Sequence, residues 1–275
     1  MKETGLKRIQ LFEFSDFVWL PNPIRCGLTN LLMVLHKLFG TTAVMVDLIH
    51  YTRQKIHFSQ ITDLGSGSGG PMIEVIEEIN KSKEGSIPIS LLLTDKYPNK
   101  KTVTHVNSLG RTNISYYSKS VDAPKLHEAP EGLKTMIASF HHMPPGIARQ
   151  ILSSAETNRE PLLIYEIGEN NVPTLLWWLL LPISLSILVI MALVMTPFVK
   201  PLTASQLLFT YIIPVIPLIY AWDGQASVKR TYTFEDVQKL LGDSKTQDYK
   251  WEIAKAKKSN GKNAGYHILG YPTST

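Results

Sequence analysis

The stretch Ile61-Thr62-Asp63-Leu64-Gly65-Ser66-Gly67-Ser68-Gly69-Gly70-Pro71 decides how this chain is read. A short β-branched and apolar run ends in Asp63, and four glycines in six positions follow. Beyond Pro71, the apolar residues Met72, Val75, Ile76 and Ile79 recur at i, i+3, i+4 and i+7, the period of one helix face. Pro71 stands where the first helical turn begins, where its missing N–H costs nothing. The order is strand, glycine loop, helix. Gly65 and Gly67 let a backbone approach a ligand closely, and N–H groups at the loop and helix start face that ligand.

Two cofactor classes use this architecture. Gly65, Gly67 and Gly70 satisfy the literal dinucleotide fingerprint G-x-G-x-x-G. Asp63, two residues before the first glycine, argues differently, because a carboxylate there suits a cationic ligand end and repels a pyrophosphate. The stretch resembles motif I of the class I S-adenosylmethionine-dependent methyltransferases, acid-x-Gly-x-Gly-x-Gly after an apolar strand. The match falls on Asp63, Gly65, Gly67 and Gly69. The bland alternative, a glycine-rich turn with no ligand, loses backbone entropy with no packing return.

Length and composition bound the rest. A chain of 275 residues holds one large α/β domain or one domain with an appendage. Net charge is +5, and the densest basic cluster, Lys255, Lys257, Lys258 and Lys262, reads as a solvated loop. The aromatic-basic interleaving of nucleic-acid modules is missing, so no nucleic-acid partner is expected. Cys26 is the only cysteine, which excludes an internal disulfide and suits a reducing compartment. The early apolar stretch is broken by Glu13 and Asp16 and does not read as a secretory signal.

Along the chain, residues 5–58 read as helical, with Gly40 as a break. Strand two is expected over Ile87–Asp95, strand three over Thr112–Tyr116, strand four over Met136–Phe140 and strand five over Pro161–Glu166. Helical stretches lie between, such as Pro145–Ala155. Tyr249–Ala254 and Tyr266–Gly270 read as two closing strands around Gly261. Alternating strands and helices give a parallel sheet covered on both faces. The expected fold is therefore α/β, a Rossmann-like doubly wound and mostly parallel seven-stranded sheet. It carries an N-terminal helical cap and a hydrophobic helical insert between strands five and six. The terminal hairpin as strands six and seven, and the cap over the cofactor mouth, are what the methyltransferase resemblance implies. The expected segments are a cap at 1–58, a cofactor-binding core at 59–172, a hydrophobic hairpin at 173–222 and the rest of the core at 223–275.

The insert is the unusual part. Pro173–Phe198 is 26 residues without a charge, and as a helix would span about 39 Å, more than the ~30 Å hydrocarbon core. Leu202–Trp222 is also uncharged, but Pro214 and Pro217 resist a regular helix. The pair reads as a membrane-embedded hairpin, its second arm a broken span or a re-entrant segment. The alternative is a greasy substrate lid. Core strands precede and follow the insert, so both of its ends lie on one side. Lys200 alone marks its tip, while Lys229 and Arg230 follow its return, which places the catalytic part in the cytoplasm at the inner membrane.

Several residues are candidates for chemistry. Asp95 stands 30 residues past Gly65, at the strand-two end from which an acid reaches ribose hydroxyls in doubly wound folds. The resemblance assigns Asp122, before Ala123, to the adenine amino group. Phe140-His141-His142-Met143-Pro144-Pro145 ends strand four, and ligands bind beyond such strand ends. Alternation along a strand turns only one of the two histidines to the cavity, where it would take a proton from an acceptor or hydrogen-bond it. Adjacent histidines are poor metal spacing, so no metal is expected. The Asn/Asp-Pro-Pro-Tyr motif of many amino-group methyltransferases does not occur here. Asp223-Gly224 reads as a turn, Thr233 with Asp236 as a capping pair for the helix Phe234–Leu241, and Arg230 as a contact for an acidic group on the substrate. Neither Ser66 nor Ser68 sits in G-x-S-x-G, and no Walker lysine follows the glycines.

The resemblance covers roughly residues 59–172 and 223–275. The segment Phe12-Glu13-Phe14-Ser15-Asp16 through Trp19-Leu20-Pro21, with the His141-His142 pair, also resembles a family of uncharacterised bacterial methyltransferases. The resemblance implies that Asp63, Gly65, Ser66, Gly67, Gly69, Asp95, Asp122, Ala123 and Phe140 hold S-adenosyl-L-methionine. It implies transfer of its methyl group to a small-molecule or lipid acceptor. A nucleotide-dependent oxidoreductase and a non-catalytic membrane-anchored scaffold are the alternatives.

Overall fold

A sheet of seven strands organises the chain in a computed structural model that describes residues 5–81, 88–242 and 246–273. The strands are β1 (Gln60–Asp63), β2 (Ser90–Leu93), β3 (Ile114–Tyr116), β4 (Leu133–Ile137), β5 (Leu162–Glu166), β6 (Tyr249–Lys257) and β7 (Asn263–Pro272). Their order is β3-β2-β1-β4-β5-β7-β6. The first five pair in parallel, and β7 runs antiparallel between β5 and β6. The α/β class, the mostly parallel sheet and the closing hairpin are as expected. All five residues of β5 are buried, as a central strand covered on both faces requires.

Helix α1 runs over Asn22–Phe39 and α2 over Thr41–Arg53, with left-handed Gly40 between them. Helices α3 (Met72–Lys81), α4 (Lys100–Ser108) and α5 (Pro145–Thr157) link the parallel strands. Met72, Val75, Ile76 and Ile79 of α3 are all buried, each contributing about 1.5–3 kcal/mol of apolar burial. Beyond β5 come α6 (Thr174–Met195), α7 (Ala204–Leu207) with a π-helical turn over Leu208–Ile212, α8 (Val215–Arg230) and α9 (Phe234–Leu241).

Three expectations need correction. Strand four lies at Leu133–Ile137, not Met136–Phe140, and Phe140–His142 form a 3-10 turn. The cause is Lys134, a charge inside the strand, fully buried and paired with Glu160 at 2.9 Å. Strand two is shorter than Ile87–Asp95, and Ile87 lies outside the described residues. Asp223-Gly224 is not a turn, since α8 continues through it to Arg230. The break instead falls at Ile213-Pro214, where Ala204–Ile212 and Val215–Arg230 meet at 79°.

The chain divides into two compact units. One holds the described residues of 40–167 and 234–273, with the sheet and its helices. The other holds residues 5–39 and 168–233, and is helical. The segment 1–58 is therefore shared between the units at Gly40, and residue 222 falls inside α8. In the helical unit Leu20, Ile24, Leu28, Leu31 and Val34 pack with Ala192, Met195, Ile216, Ile219 and Tyr220. Helices α6 and α8 run antiparallel. Trp177 Nε1 donates to Gln225 Oε1 at 2.8 Å, and a Cβ at Gly224 would lie 3.4 Å from Leu188. Gly224 is small so that the two helices can approach. Thr174–Phe198 is long and apolar enough to cross a membrane, and Ala204–Ile212 with Val215–Arg230 meets the same test as one bent span.

Candidate active site

In the sheet unit, the loops beyond the C-terminal ends of β1 to β5 gather the candidate residues. The glycine loop between β1 and α3 has φ of +67° at Gly65 and +53° at Gly67, a region that favours glycine. A Cβ added at either glycine meets nothing within 4 Å. The loop thus opens onto space that side chains would fill, a cradle for a ligand's backbone contacts.

The loop is held from below. Asp63 is buried, and both of its carboxylate oxygens are engaged. Ser66 Oγ donates to Oδ2 and Thr135 Oγ1 to Oδ1, each at 2.6 Å. Thr94 Oγ1 donates to the Asp63 carbonyl at 2.8 Å, and Ser66 N to the Thr94 carbonyl at 2.9 Å. Burial pushes the Asp63 carboxyl up to about 6, with the hydrogen bonds from Ser66 and Thr135 opposing and Asp95 adding to the rise. The expectation that Asp63 faces a cationic ligand end is corrected by this geometry: it organises the loop from beneath.

Asp95, past β2, accepts from Gly67 N at 3.1 Å and Tyr97 N at 2.7 Å. Tyr116, at the end of β3, donates its hydroxyl to the Gly67 carbonyl at 2.9 Å. Burial, aided by the Asp95 and Asp63 carboxylates, raises that phenol well above the usual tyrosine range. Gly67 is therefore gripped at both its N–H and its carbonyl. Val121 N donates to the Asp95 carbonyl at 3.0 Å, which brings the loop with Asp122 and Ala123 beside Asp95. Asp122 pairs with Lys96 at 3.0 Å, both partly exposed, an ion pair weak enough for a ligand to displace.

Beyond β4, Ala138 takes a φ of +49° and a 3-10 turn carries Phe140, His141 and His142. Phe140, the first residue of the turn, is fully buried. The expectation that strand alternation would separate the two histidines fails, because neither is in the strand. Their rings lie 4.3 Å apart at 34°. What distinguishes them is Glu166, the last residue of β5. Its Oε1 accepts from His141 N at 2.9 Å and its Oε2 lies 2.8 Å from His141 Nδ1. An ionised carboxylate only accepts, so a neutral His141 paired with it carries its proton on Nδ1 and its lone pair on Nε2.

Arg230 belongs to the helical unit. It is buried and bound to Asp16 at 2.6 Å and Glu13 at 3.0 Å, so its charge answers these two acids and the assignment to a substrate acid is corrected. Sequence reasoning missed Tyr116, Thr135 and Glu166. Glu166 had a faint signal, a carboxylate closing an apolar strand.

No protein-family model and no curated protein matches the chain. Among solved structures it is similar to the plantazolicin methyltransferase BpumL in complex with SAH. The TM-score is 0.57 at 11% identity, with 93% of each chain covered. BpumL with a monoazolic desmethylPZN analog and SAH gives a TM-score of 0.54 at 11% identity, covering 94% of this chain and 93% of that one. The likeness is one of fold.

Proposed function

We propose that this chain, which has the class I S-adenosylmethionine-dependent methyltransferase fold, is an enzyme of that class acting on a lipid or small-molecule acceptor at a membrane. The observation that carries the reading is the glycine loop, open above Gly65 and Gly67 and pinned by Asp95, Tyr116 and Asp63. That cradle suits S-adenosylmethionine, with Asp95 toward the ribose and Asp122 toward the adenine. BpumL, which shares the fold, was crystallised with SAH. The cofactor supplies an activated sulfonium methyl group.

The chain's residues supply position and one base. The Asp95 carboxylate and the loop amides would hold the cofactor, and the turn beyond β4 carries His141. His141, held at Nδ1 by Glu166, would take the acceptor's proton on Nε2, and the bound cofactor would supply the methyl group. His142 lines the same turn. The membrane part of the reading is supported by α6, whose large apolar residues are mostly exposed along its length. With both ends of α6–α8 on the cytoplasmic side, the sheet unit works in the cytoplasm.

The test has two arms. Calorimetry should give binding of S-adenosylmethionine by the detergent-solubilised protein, with no competition from nicotinamide dinucleotide. Gly67→Leu should abolish it, because a side chain would occupy the ligand's space in a backbone region that disfavours one. Unchanged affinity in Gly67→Leu overturns the cofactor assignment. Methyl transfer from labelled S-adenosylmethionine should then reach a lipid extract in preference to a soluble metabolite pool.

A further inference from the structure

The hairpin that closes the sheet carries charge that the proposed chemistry does not use. No Asp or Glu occurs in 253–275, yet Lys255, Lys257, Lys258 and Lys262 crowd the end of β6 and the turn after it. Glu252 does not neutralise them. Its carboxylate already receives the Tyr51 hydroxyl at 2.6 Å, the Tyr271 hydroxyl at 2.7 Å and Lys250 Nζ at 3.1 Å. Among the described residues, Lys257, Lys258 and Lys262 enter no ion pair.

The register fixes where these lysines stand. β7 pairs antiparallel with β5, Tyr266 beside Glu166, and extends past Glu166 through Gly265 and Ala264 to Asn263. Three residues at about 3.4 Å each carry the hairpin roughly 10 Å beyond the C-terminal end of β5. That is the edge of the sheet where Glu166 holds His141 and where the glycine loop opens. The projection is held in place. The Tyr165 hydroxyl donates to the Ala264 carbonyl at 2.6 Å. Gly265 has a φ of +86°, and a Cβ there would collide with the Glu166 carbonyl, so the hairpin backbone lies directly against the end of β5. The turn closes through Lys258 N to the Lys262 carbonyl at 2.9 Å and Gly261 N to the Lys258 carbonyl at 2.8 Å.

Edge protection accounts for part of this charge. β6 is an edge strand, and lysines along its ladder block pairing with another chain. Lys258 and Lys262 lie past the ladder, in the turn, where there is no edge to guard. The turn also has no aromatic ring on which a nucleobase could stack. Compact ammonium groups on flexible stems, without a stacking platform, fit negative charge spread over a surface of phosphate headgroups.

We infer that Lys257, Lys258 and Lys262, at the tip of the β6–β7 hairpin, dock on the anionic phospholipid headgroups of a bilayer and bring the catalytic edge of the sheet to that surface. The inference rests on the reading that the protein works at a membrane, and adds to it a contact made by the sheet unit itself. Such a contact is electrostatic, so it depends on the charge of the lipid and is screened by salt.

The test uses the full chain reconstituted into vesicles of phosphatidylcholine, with or without an equal part of phosphatidylglycerol. Cys26, the only cysteine, is replaced by serine, and Ser259→Cys in the exposed turn carries a fluorescent dye. Ile187→Cys on the exposed face of α6 is the companion that reports on the membrane helix. Lipids with a nitroxide on the headgroup or deep in the acyl chain are the quenchers. The expected result is headgroup quenching of the Ser259 dye only where phosphatidylglycerol is present, lost in about 1 M salt, where the Debye length is about 3 Å. Each lysine at an anionic surface favours contact about fivefold. Lys257→Gln, Lys258→Gln and Lys262→Gln together should therefore weaken the contact about a hundredfold and abolish the quenching, whereas the three corresponding arginine changes should keep it. A Ser259 dye quenched equally with and without phosphatidylglycerol, or in neither, overturns the inference, and acyl-chain quenching of the Ile187 dye then leaves the membrane helix standing. Salt-dependent quenching at Ser259 with none at Ile187 keeps the headgroup contact and overturns the membrane reading of α6.

Discussion

Replacing Glu166 by glutamine should silence His141 without disturbing the cofactor site. The carboxylate meets two demands at once, from the His141 backbone N–H at 2.9 Å and from the ring at Nδ1, 2.8 Å away. Glutamine has a single acceptor oxygen. The backbone N–H is always a donor and takes it, so the amide NH2 turns toward Nδ1. The ring must then accept at Nδ1 and carry its proton on Nε2, and His141 can no longer take a proton from the acceptor. A general base contributes roughly 10²–10⁴-fold, so kcat should fall by that factor, about 3–5 kcal/mol in the barrier. Affinity for S-adenosylmethionine should be unchanged, because the glycine loop and Asp95 are untouched. The assay is the initial rate of label transfer into lipid extract beside calorimetric cofactor binding. Selective 15N labelling of histidine reports the ring proton directly and should show it moving from Nδ1 to Nε2. A kcat within about threefold of the parent, with the tautomer reversed, refutes the assignment of His141 as base.

Three further outcomes are expected. Asp95→Ala should weaken S-adenosylmethionine by about 1–3 kcal/mol in calorimetry, the loss of a charged hydrogen-bond partner, compounded by a loosened Gly67 N–H. Asp63 carries a folded-state pKa near 6 against an unfolded value of about 3.9. Its stabilising contribution is full below pH ~4 and is lost as pH rises through ~6, a change of about 3 kcal/mol. Asp63→Asn should lack this dependence and gain on the parent between pH 4 and pH 7 in thermal unfolding in detergent. Parallel curves would dispose of the buried, ionisable Asp63. Arg230→Met should destabilise the helical unit by about 3–5 kcal/mol, because Glu13 is left buried without its cation. Adding Glu13→Gln should restore part of that loss, and a double variant no better than the single would argue against the pair.

What was legible in the sequence was local. The four glycines after Asp63, the apolar period of α3 and the buried run of β5 each describe a few adjacent residues, and the residues that face a core share one repeat. The uncharged run of α6 is of the same kind. The tertiary structure decided everything that depends on a partner far along the chain. Lys134 disguised β4 because its buried charge is acceptable only beside Glu160, and no window around residue 134 contains that acid. Asp223-Gly224 has the composition of a turn. It stays helical because the Asp223 carboxylate receives the amides of Phe14 and Ser15, and because Gly224 faces Leu188. Arg230 is drawn to Glu13 and Asp16, and His141 is set apart from His142 only by Glu166. A buried polar group costs several kcal/mol until it is paired. Which residue pairs it is settled by which strands and helices lie side by side in the fold, and a local pattern carries no record of that arrangement.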